Sequence, residues 1–244
     1  MNLITNIIEP QRLCLAWQGP AGDDKSHCIV AELLRTNHAI ELHYLTQSAD
    51  FKKARENGFE GYPAFPKTDR VYKEGVIETF ILRLPPRERT DFDKYLESLR
   101  ISHTARVSDF ALLGYSGARL PSDGFSIVHR FDEVDVPCEL LTEVAGFRYY
   151  EGMNMQLAVG MNAMLQTEPG NPYDSKAIMV LINGTKIGYI GRGLLDAFHR
   201  WMNNKSEITA IVEKMNGRPD RPSIMIYVAV VPAKQIEHEL HPWV

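Results

Sequence analysis

The stretch Asn171-Pro172-Tyr173-Asp174-Ser175-Lys176-Ala177 joins turn chemistry to groups that can hold a ligand. Proline fixes φ, and Asn171 and Asp174 can bond neighbouring backbone amides, so a tight connection between two strands is the plain reading. A tight turn has no need of Tyr173, a large aromatic in a polar segment. Nor does strand formation require Arg148-Tyr149-Tyr150, a cation and two aromatics at the end of an earlier strand-like run. Aromatic faces beside a guanidinium form a stacking platform for bases, and a nearby carboxylate accepts a hydrogen bond from a sugar hydroxyl. The combination points to nucleic acid.

Signals for catalysis and metal binding are weaker. The sequence has no Gly-rich phosphate loop followed by Lys-Ser/Thr, no GxGxxG, no HExxH and no GxSxG. The eight histidines are scattered. His27 adjoins Cys28 without the gap of two to four residues usual for paired zinc ligands, and His238 and His241 lie in a polar tail with too few companions. Asp91, Asp93 and Glu97 cluster on one expected helix, where they read as a solvated helix start with favourable dipole placement. No catalytic residue, metal ligand or cofactor is assigned, so the chain is read as a non-enzyme.

The elements that must position these residues fall into two groups. Glu139 to Tyr150, Leu157 to Gln166, Ala177 to Ile182, Lys186 to Ile190, Ile208 to Lys214 and Ser223 to Val231 are short apolar runs of strand character. Asn183-Gly184 between two of them is the type I′ hairpin signal. Gly193 to Asn204 carries Leu194, Leu195, Phe198, Trp201 and Met202 as an amphipathic helical stripe, with Phe198 and Trp201 read as core. This pattern describes a curled sheet or barrel closed by one helix, over residues 139–233. Before it, residues 1–135 read as an α+β domain. Strands are expected at Arg12 to Trp17, Lys25 to Leu34, Ala39 to Leu45, Val76 to Arg83 and Gly124 to Val128, and helices at Ser48 to Asn57, Glu88 to Arg100 and Asp109 to Tyr115. Phe131 to Pro137 is the linker candidate, and residues 234–244 form a tail.

Val144-Ala-Gly-Phe-Arg-Tyr-Tyr150, Met164-Leu-Gln-Thr-Glu-Pro-Gly-Asn-Pro-Tyr-Asp174, Lys176-Ala-Ile-Met-Val180 and Ile187-Gly-Tyr-Ile190 together resemble the HIRAN domain, in order and spacing, over about residues 141–232. The resemblance implies an OB-like β-barrel fold and capture of the 3′ end of single-stranded DNA. It implies that Arg148 contacts phosphate, that Tyr149 faces a base or the backbone, and that Tyr173 stacks on the terminal base while Asp174 accepts from the terminal 3′-hydroxyl. Arg192 falls near a family lysine that approaches the DNA backbone, and Tyr189 stands where some members have histidine. Lys176 is either a further contact or a surface residue of the turn. Two features depart from the family: Thr167 replaces a frequent arginine, and Asn216 to Ser223 lacks an aromatic. Arg218 and Arg221 in that loop either supply guanidinium contacts instead or are solvated loop charges.

A second resemblance covers the first half. Glu78-Thr-Phe-Ile-Leu-Arg-Leu-Pro85, the helix Phe92 to Arg100 and Asp109-Phe-Ala-Leu-Leu-Gly-Tyr-Ser-Gly117 are similar in order to the N-terminal subdomain of HipA-type toxin kinases. It implies a docking or regulatory domain without kinase activity, because the chain continues into the HIRAN-like part instead of a kinase core.

Charge sets the terms for any such binding. The 244 residues carry 27 Lys+Arg against 31 Asp+Glu, a net charge of −4, which excludes a basic coat protein. Residues 1–140 hold 17 basic and 21 acidic side chains and residues 141–233 hold 9 and 8. Three cysteines, widely spaced, give neither a metal knuckle nor a disulfide framework, and no leader or membrane span is evident, so a reduced cytoplasmic protein is expected. Single-stranded DNA or its 3′ ends are the expected partner, with a protein partner through residues 1–135. The alternative function is a protein-interaction accessory factor, of toxin-antitoxin or phage-defence type, that uses the HIRAN fold as a scaffold.

Overall fold

The computed structural model describes residues 1–19, 27–120, 123–132, 134–150, 156–218 and 221–233. The tail 234–244 with His238 and His241, Lys25 in the second strand-like run, Glu133 in the linker and Pro219-Asp220 in the late loop lie outside the described residues, as do the side chains of Arg218 and Arg221. The chain divides into two compact units: Ile8–Leu99 with Arg106–Phe131, and Met1–Ile7 with Arg100–Ala105 and Asp132–Val244.

In the first of these, strands β1 (Arg12–Trp17), β2 (Cys28–Arg35), β3 (Ile40–Tyr44) and β4 (Phe125–Val128) form one antiparallel sheet in the order β3-β2-β1-β4. Helices α1 (Ala49–Glu56), α2 (Val76–Ile81), α3 (Phe92–Ser98) and α4 (Asp109–Ser116) accompany it. Ser48 and Ser108 cap α1 and α4 by accepting from the amides of Phe51 and Ala111, each at 3.0 Å. The segment Val76 to Arg83, expected as a strand, is instead α2. In a strand, Glu78 would share a face with Val76 and Phe80; in a helix, Val76 and Phe80 stack one turn apart and both are buried while Glu78 turns away. Phe80 thereby joins Tyr62 (ring centroids 4.7 Å apart) and Phe65 (6.2 Å).

The second unit carries β5 (Cys138–Glu143), β6 (Met164–Thr167), β7 (Ile178–Ile182), β8 (Thr185–Tyr189), α5 (Leu195–Asn203), β9 (Glu207–Arg218) and β10 (Arg221–Val231). The strands form two three-stranded antiparallel sheets, β5-β10-β9 and β6-β7-β8. Of the curled sheet or OB-like barrel expected, the barrel is not closed among the described residues. The sheets meet through single bridges, Ala145 with Tyr189 and Asn162 with Ile211, not through continuous ladders. Two local conformations cut the ladders short. Gly146 takes a left-handed φ of 75° and turns the chain after β5 into a 3-10 turn at Phe147–Tyr149, so Arg148 and Tyr149 do not end a strand. The run Leu157 to Gln166 becomes strand only from Met164.

Core residues of this unit follow the expected stripe: Phe198 and Trp201 of α5 are buried, with ring centroids 5.1 Å apart. Residues Met1–Ile7 and Arg100–Ala105 add a short parallel bridge, Ile4 with Ile101. Asn2 and Arg100 both bond the buried carboxylate of Glu213 on β9, at 2.8 and 2.6 Å.

Candidate nucleic-acid interface

The loop between β6 and β7 is organised by Asn171. Its side-chain Oδ1 accepts from the amides of Tyr173 (2.9 Å) and Asp174 (3.1 Å), closing a tight turn around Pro172. Its Nδ2 donates to Glu168 Oε2 at 2.6 Å and to the Tyr189 hydroxyl at 2.9 Å. With two N–H groups facing one end of the amide and two oxygens facing the other, a single orientation of Asn171 satisfies both.

This turn presents Tyr173 to solvent almost whole, 89% exposed. Asp174 is held more firmly. Its Oδ1 accepts from the Lys176 amide at 3.0 Å, and its Oδ2 lies 3.4 Å from Nε of Arg192, which sits in the 3-10 turn Arg192–Leu194 ahead of α5. Lys176 itself turns to α5, where its Nζ pairs with Asp196 at 2.9 Å and its carbonyl meets His199 Nε2 at 2.8 Å.

Arg148 and Tyr149 lie on the neighbouring 3-10 turn. The Arg148 guanidinium stands 4.6 Å above the Tyr149 ring and donates to its hydroxyl, and Tyr149 is 71% exposed. They are linked to the other site residues by the Ala145–Tyr189 bridge, by the Tyr150 ring set edge-on to Tyr189 at 5.5 Å, and by Lys186 Nζ 5.2 Å over the Tyr150 ring. The close approach of these segments depends on Gly188, whose φ is 151°; a Cβ there would lie 2.5 Å from the carbonyl oxygen of Ala145.

Tyr189 thus sits at the junction of the site, with its ring against Tyr150 and its hydroxyl in a polar cluster. That hydroxyl donates to Glu168 Oε2 at 2.7 Å and accepts from Lys186 Nζ at 3.0 Å, and Lys186 also reaches Glu168 Oε1 at 3.1 Å. Hydrogen bonds from Tyr189 and Asn171, with the Lys186 ammonium, hold the Glu168 carboxyl down at about 2, so it is ionised. The bond to Tyr189 and the nearby Glu168 charge hold the Lys186 ammonium above its ordinary value. Desolvation first, then the Tyr189 hydroxyl, pushes the Tyr150 phenol up to about 12.

Glu168, Asn171 and Lys186 were not singled out as site residues from the sequence. The signal for Asn171 was present, since Asn before Pro-Tyr-Asp is an amide-binding turn residue. Tyr189 was named from the family resemblance, but nothing linked Lys186 to it, because residues three apart on a regular strand face opposite sides. The β7–β8 register shifts between Val180 and Leu181, so β8 has one extra residue, and this bulge brings Lys186 and Tyr189 to the same carboxylate. Thr167, in the place of a frequent family arginine, is exposed on β6. In the other unit, Asp91 is engaged by Arg89 at 2.7 Å. Among the described residues no group of three or more His, Cys, Asp or Glu side chains is placed to hold a metal ion, and no helix is long and apolar enough to cross a membrane.

Comparison with known proteins finds its matches in the C-terminal part of the chain. Residues 139–231 match the family model of the HIRAN domain. The helicase-like transcription factor of Oryctolagus cuniculus is 42% identical over 73 residues, covering 28% of this chain and 7% of that protein. Its counterpart in Mus musculus is 36% identical over 89 residues, covering 35% and 8%. The chain therefore spans less than a tenth of the length of these curated relatives. Among solved structures, the crystal structure of the HIRAN domain of human HLTF aligns at 26% identity and a TM-score of 0.34, over 41% of this chain and 80% of that one. The NMR structure of the HLTF HIRAN domain in its DNA-bound conformation aligns at 26% and 0.31, over 46% and 94%.

Proposed function

We propose that residues 139–233 act as a HIRAN domain that binds nucleic acid and captures the 3′-hydroxyl end of single-stranded DNA, and that residues 1–135 serve as an interaction or regulatory module. The observation that carries this reading is the pairing of a largely exposed aromatic, Tyr173, with a fixed carboxylate, Asp174, on one tight turn. A terminal base stacks on Tyr173, a contact worth about 1–3 kcal/mol. The terminal 3′-hydroxyl donates to Asp174, whose carboxylate repels a terminal phosphate. Arg192, beside Asp174, offsets that charge toward the backbone, and the Arg148–Tyr149 pair supplies a guanidinium for phosphate and a second ring. The family match over residues 139–231 supports nucleic-acid binding by this part of the chain.

Fluorescence anisotropy with two otherwise identical single strands, one ending in a 3′-hydroxyl and one in a 3′-phosphate, tests it. The hydroxyl end is expected to bind at least about tenfold tighter, the scale of one charged hydrogen bond, and Asp174→Ala is expected to erase the difference. Equal affinity of the wild-type protein for both ends would overturn the reading.

A second reading, in which the HIRAN fold is a scaffold for a protein-interaction accessory factor, is favoured by Thr167, which offers no cation to phosphate at an exposed position on β6. The first unit also carries a groove of about 640 Å³ lined by residues including Leu82, Pro85, Pro86 and Tyr95, with Leu82 82% exposed. Recovery of a defined protein partner together with no DNA binding at low salt would favour this reading.

A further inference from the structure

Glu168 poses an electrostatic problem in a site read as binding a polyanion. Its carboxylate lies three residues before Asn171, and a carboxylate near phosphates opposes their binding. Three donors nevertheless converge on it: Asn171 Nδ2 at 2.6 Å, the Tyr189 hydroxyl at 2.7 Å and Lys186 Nζ at 3.1 Å. The first of these belongs to the turn itself. Asn171 can hold the Tyr173 and Asp174 amides on Oδ1 only while its amide keeps that orientation, and Glu168 with Tyr189 fixes it from the Nδ2 side. Lys186 neutralises the carboxylate at the same time and bonds the Tyr189 hydroxyl, so its charge is directed into the cluster. The β8 bulge that brings Lys186 and Tyr189 together exists at this point of the hairpin.

We propose that Glu168, Lys186 and Tyr189 are positioning residues that lock Asn171, and through it set the end specificity of the Tyr173-Asp174 turn. The proposal rests on the DNA-end reading for its consequence but not for its geometry. On this account Tyr189 acts through its hydroxyl on the turn. The carboxylate of Glu168 strengthens recognition of an anionic ligand, the reverse of what its charge alone would do.

That reversal of sign makes the test direct. Glu168→Ala, Glu168→Gln and Lys186→Met are compared with wild type in two measurements: affinity for 3′-hydroxyl and 3′-phosphate strands, and NMR hydrogen exchange of the Tyr173 and Asp174 amides without DNA. Positioning predicts that Glu168→Ala weakens the hydroxyl-ended complex about fivefold or more, the scale of one lost hydrogen bond, and narrows the hydroxyl-to-phosphate ratio. Glu168→Gln keeps an acceptor for Asn171 and is expected to restore most of that ratio. Both amides are expected to exchange faster in Glu168→Ala while core amides on β7 and β10 keep their protection. A bystander acid behaves oppositely: its removal tightens binding of both ends and leaves the two amides unchanged, and that result overturns the proposal. Should Glu168→Ala fail to fold, Lys186→Met, which keeps the acceptor and the side-chain length, is read by amide exchange: faster exchange of the Tyr173 and Asp174 amides supports the proposal, and unchanged exchange overturns it. Should the wild-type protein show no end preference, the DNA-end reading falls, and the amide exchange alone decides the positioning role.

Discussion

Glu213 shows how much a single ionised side chain can require of its surroundings. It is 3% exposed on β9, and burial alone would raise its carboxyl; hydrogen bonds from Asn2 and Arg100 and the Arg100 charge more than offset this, holding it below the ordinary value. Arg100 reaches it from a left-handed backbone conformation, φ 61°, uncommon for a residue with a Cβ. Replacing Arg100 with leucine leaves a buried carboxylate without its ion-pair partner, and because the Arg100 side chain is 17% exposed the loss is expected to fall below the roughly 3–5 kcal/mol of a fully buried pair. The pH dependence of that loss follows from the direction of the shift. With a folded pKa below the unfolded one, wild-type Glu213 contributes stability above the unfolded value of about 4.5, and that contribution is lost as pH falls through the lowered folded value. In Arg100→Leu the carboxyl is raised instead and takes a proton early. The destabilisation, read from urea midpoints, is therefore expected to be largest near pH 7 and to shrink toward pH 4.

At the scale of elements, Gly188 governs whether β8 and the 3-10 turn carrying Arg148 can lie together. A Cβ there would come within 2.5 Å of the Ala145 oxygen and 2.6 Å of Val144 Cγ1, at a φ of 151°. Gly188→Ala must part these segments, and the expected cost is about 1–3 kcal/mol. Because Tyr149 is tied to the rest of the site across this seam, DNA affinity is expected to fall along with the denaturation midpoint. A variant that loses stability but keeps full affinity would show that the seam does not position the Arg148 turn. The same seam explains what could be read from sequence. The hairpin at Asn183-Gly184 was legible because it is local: both residues take positive φ, 50° and 79°, as a type I′ turn demands. So were the α5 stripe and the residues of the Asn-Pro-Tyr-Asp turn. The strand ends were not, because Gly146 breaks β5 by a backbone conformation and the β8 bulge is set by pairing with β7. Val76 to Ile81 misled for a different reason. Its β-branched residues fit a strand, but burial of Phe80 among Tyr62 and Phe65 overrides propensity.

For the whole molecule, the distribution of charge limits how DNA can be held. The chain carries −4 overall, and residues 141–233 carry nine basic against eight acidic side chains. Of those cations, Lys186 is paired with Glu168, Lys176 with Asp196 and Arg192 with Asp174. On the proposed reading Arg148, and Arg192 despite its 3.4 Å pair with Asp174, are the cations that face phosphate around Tyr173. A single strand held by about two phosphate contacts gives a slope of log affinity against log salt near −1.4, about sevenfold between 50 and 200 mM. A site relying on a broad basic face, with about six contacts, would lose several hundredfold over the same range. The shallow slope is the expected outcome of an anisotropy titration across that interval, with Arg148→Ala flattening it further while leaving the preference for a 3′-hydroxyl in place. A steep slope would instead place most of the binding energy on cations away from the Asp174 turn. Affinity here is expected to come from a few stacked and hydrogen-bonded groups whose positions are fixed by Asn171 and the β8 bulge, so end chemistry should outweigh ionic strength in deciding what binds.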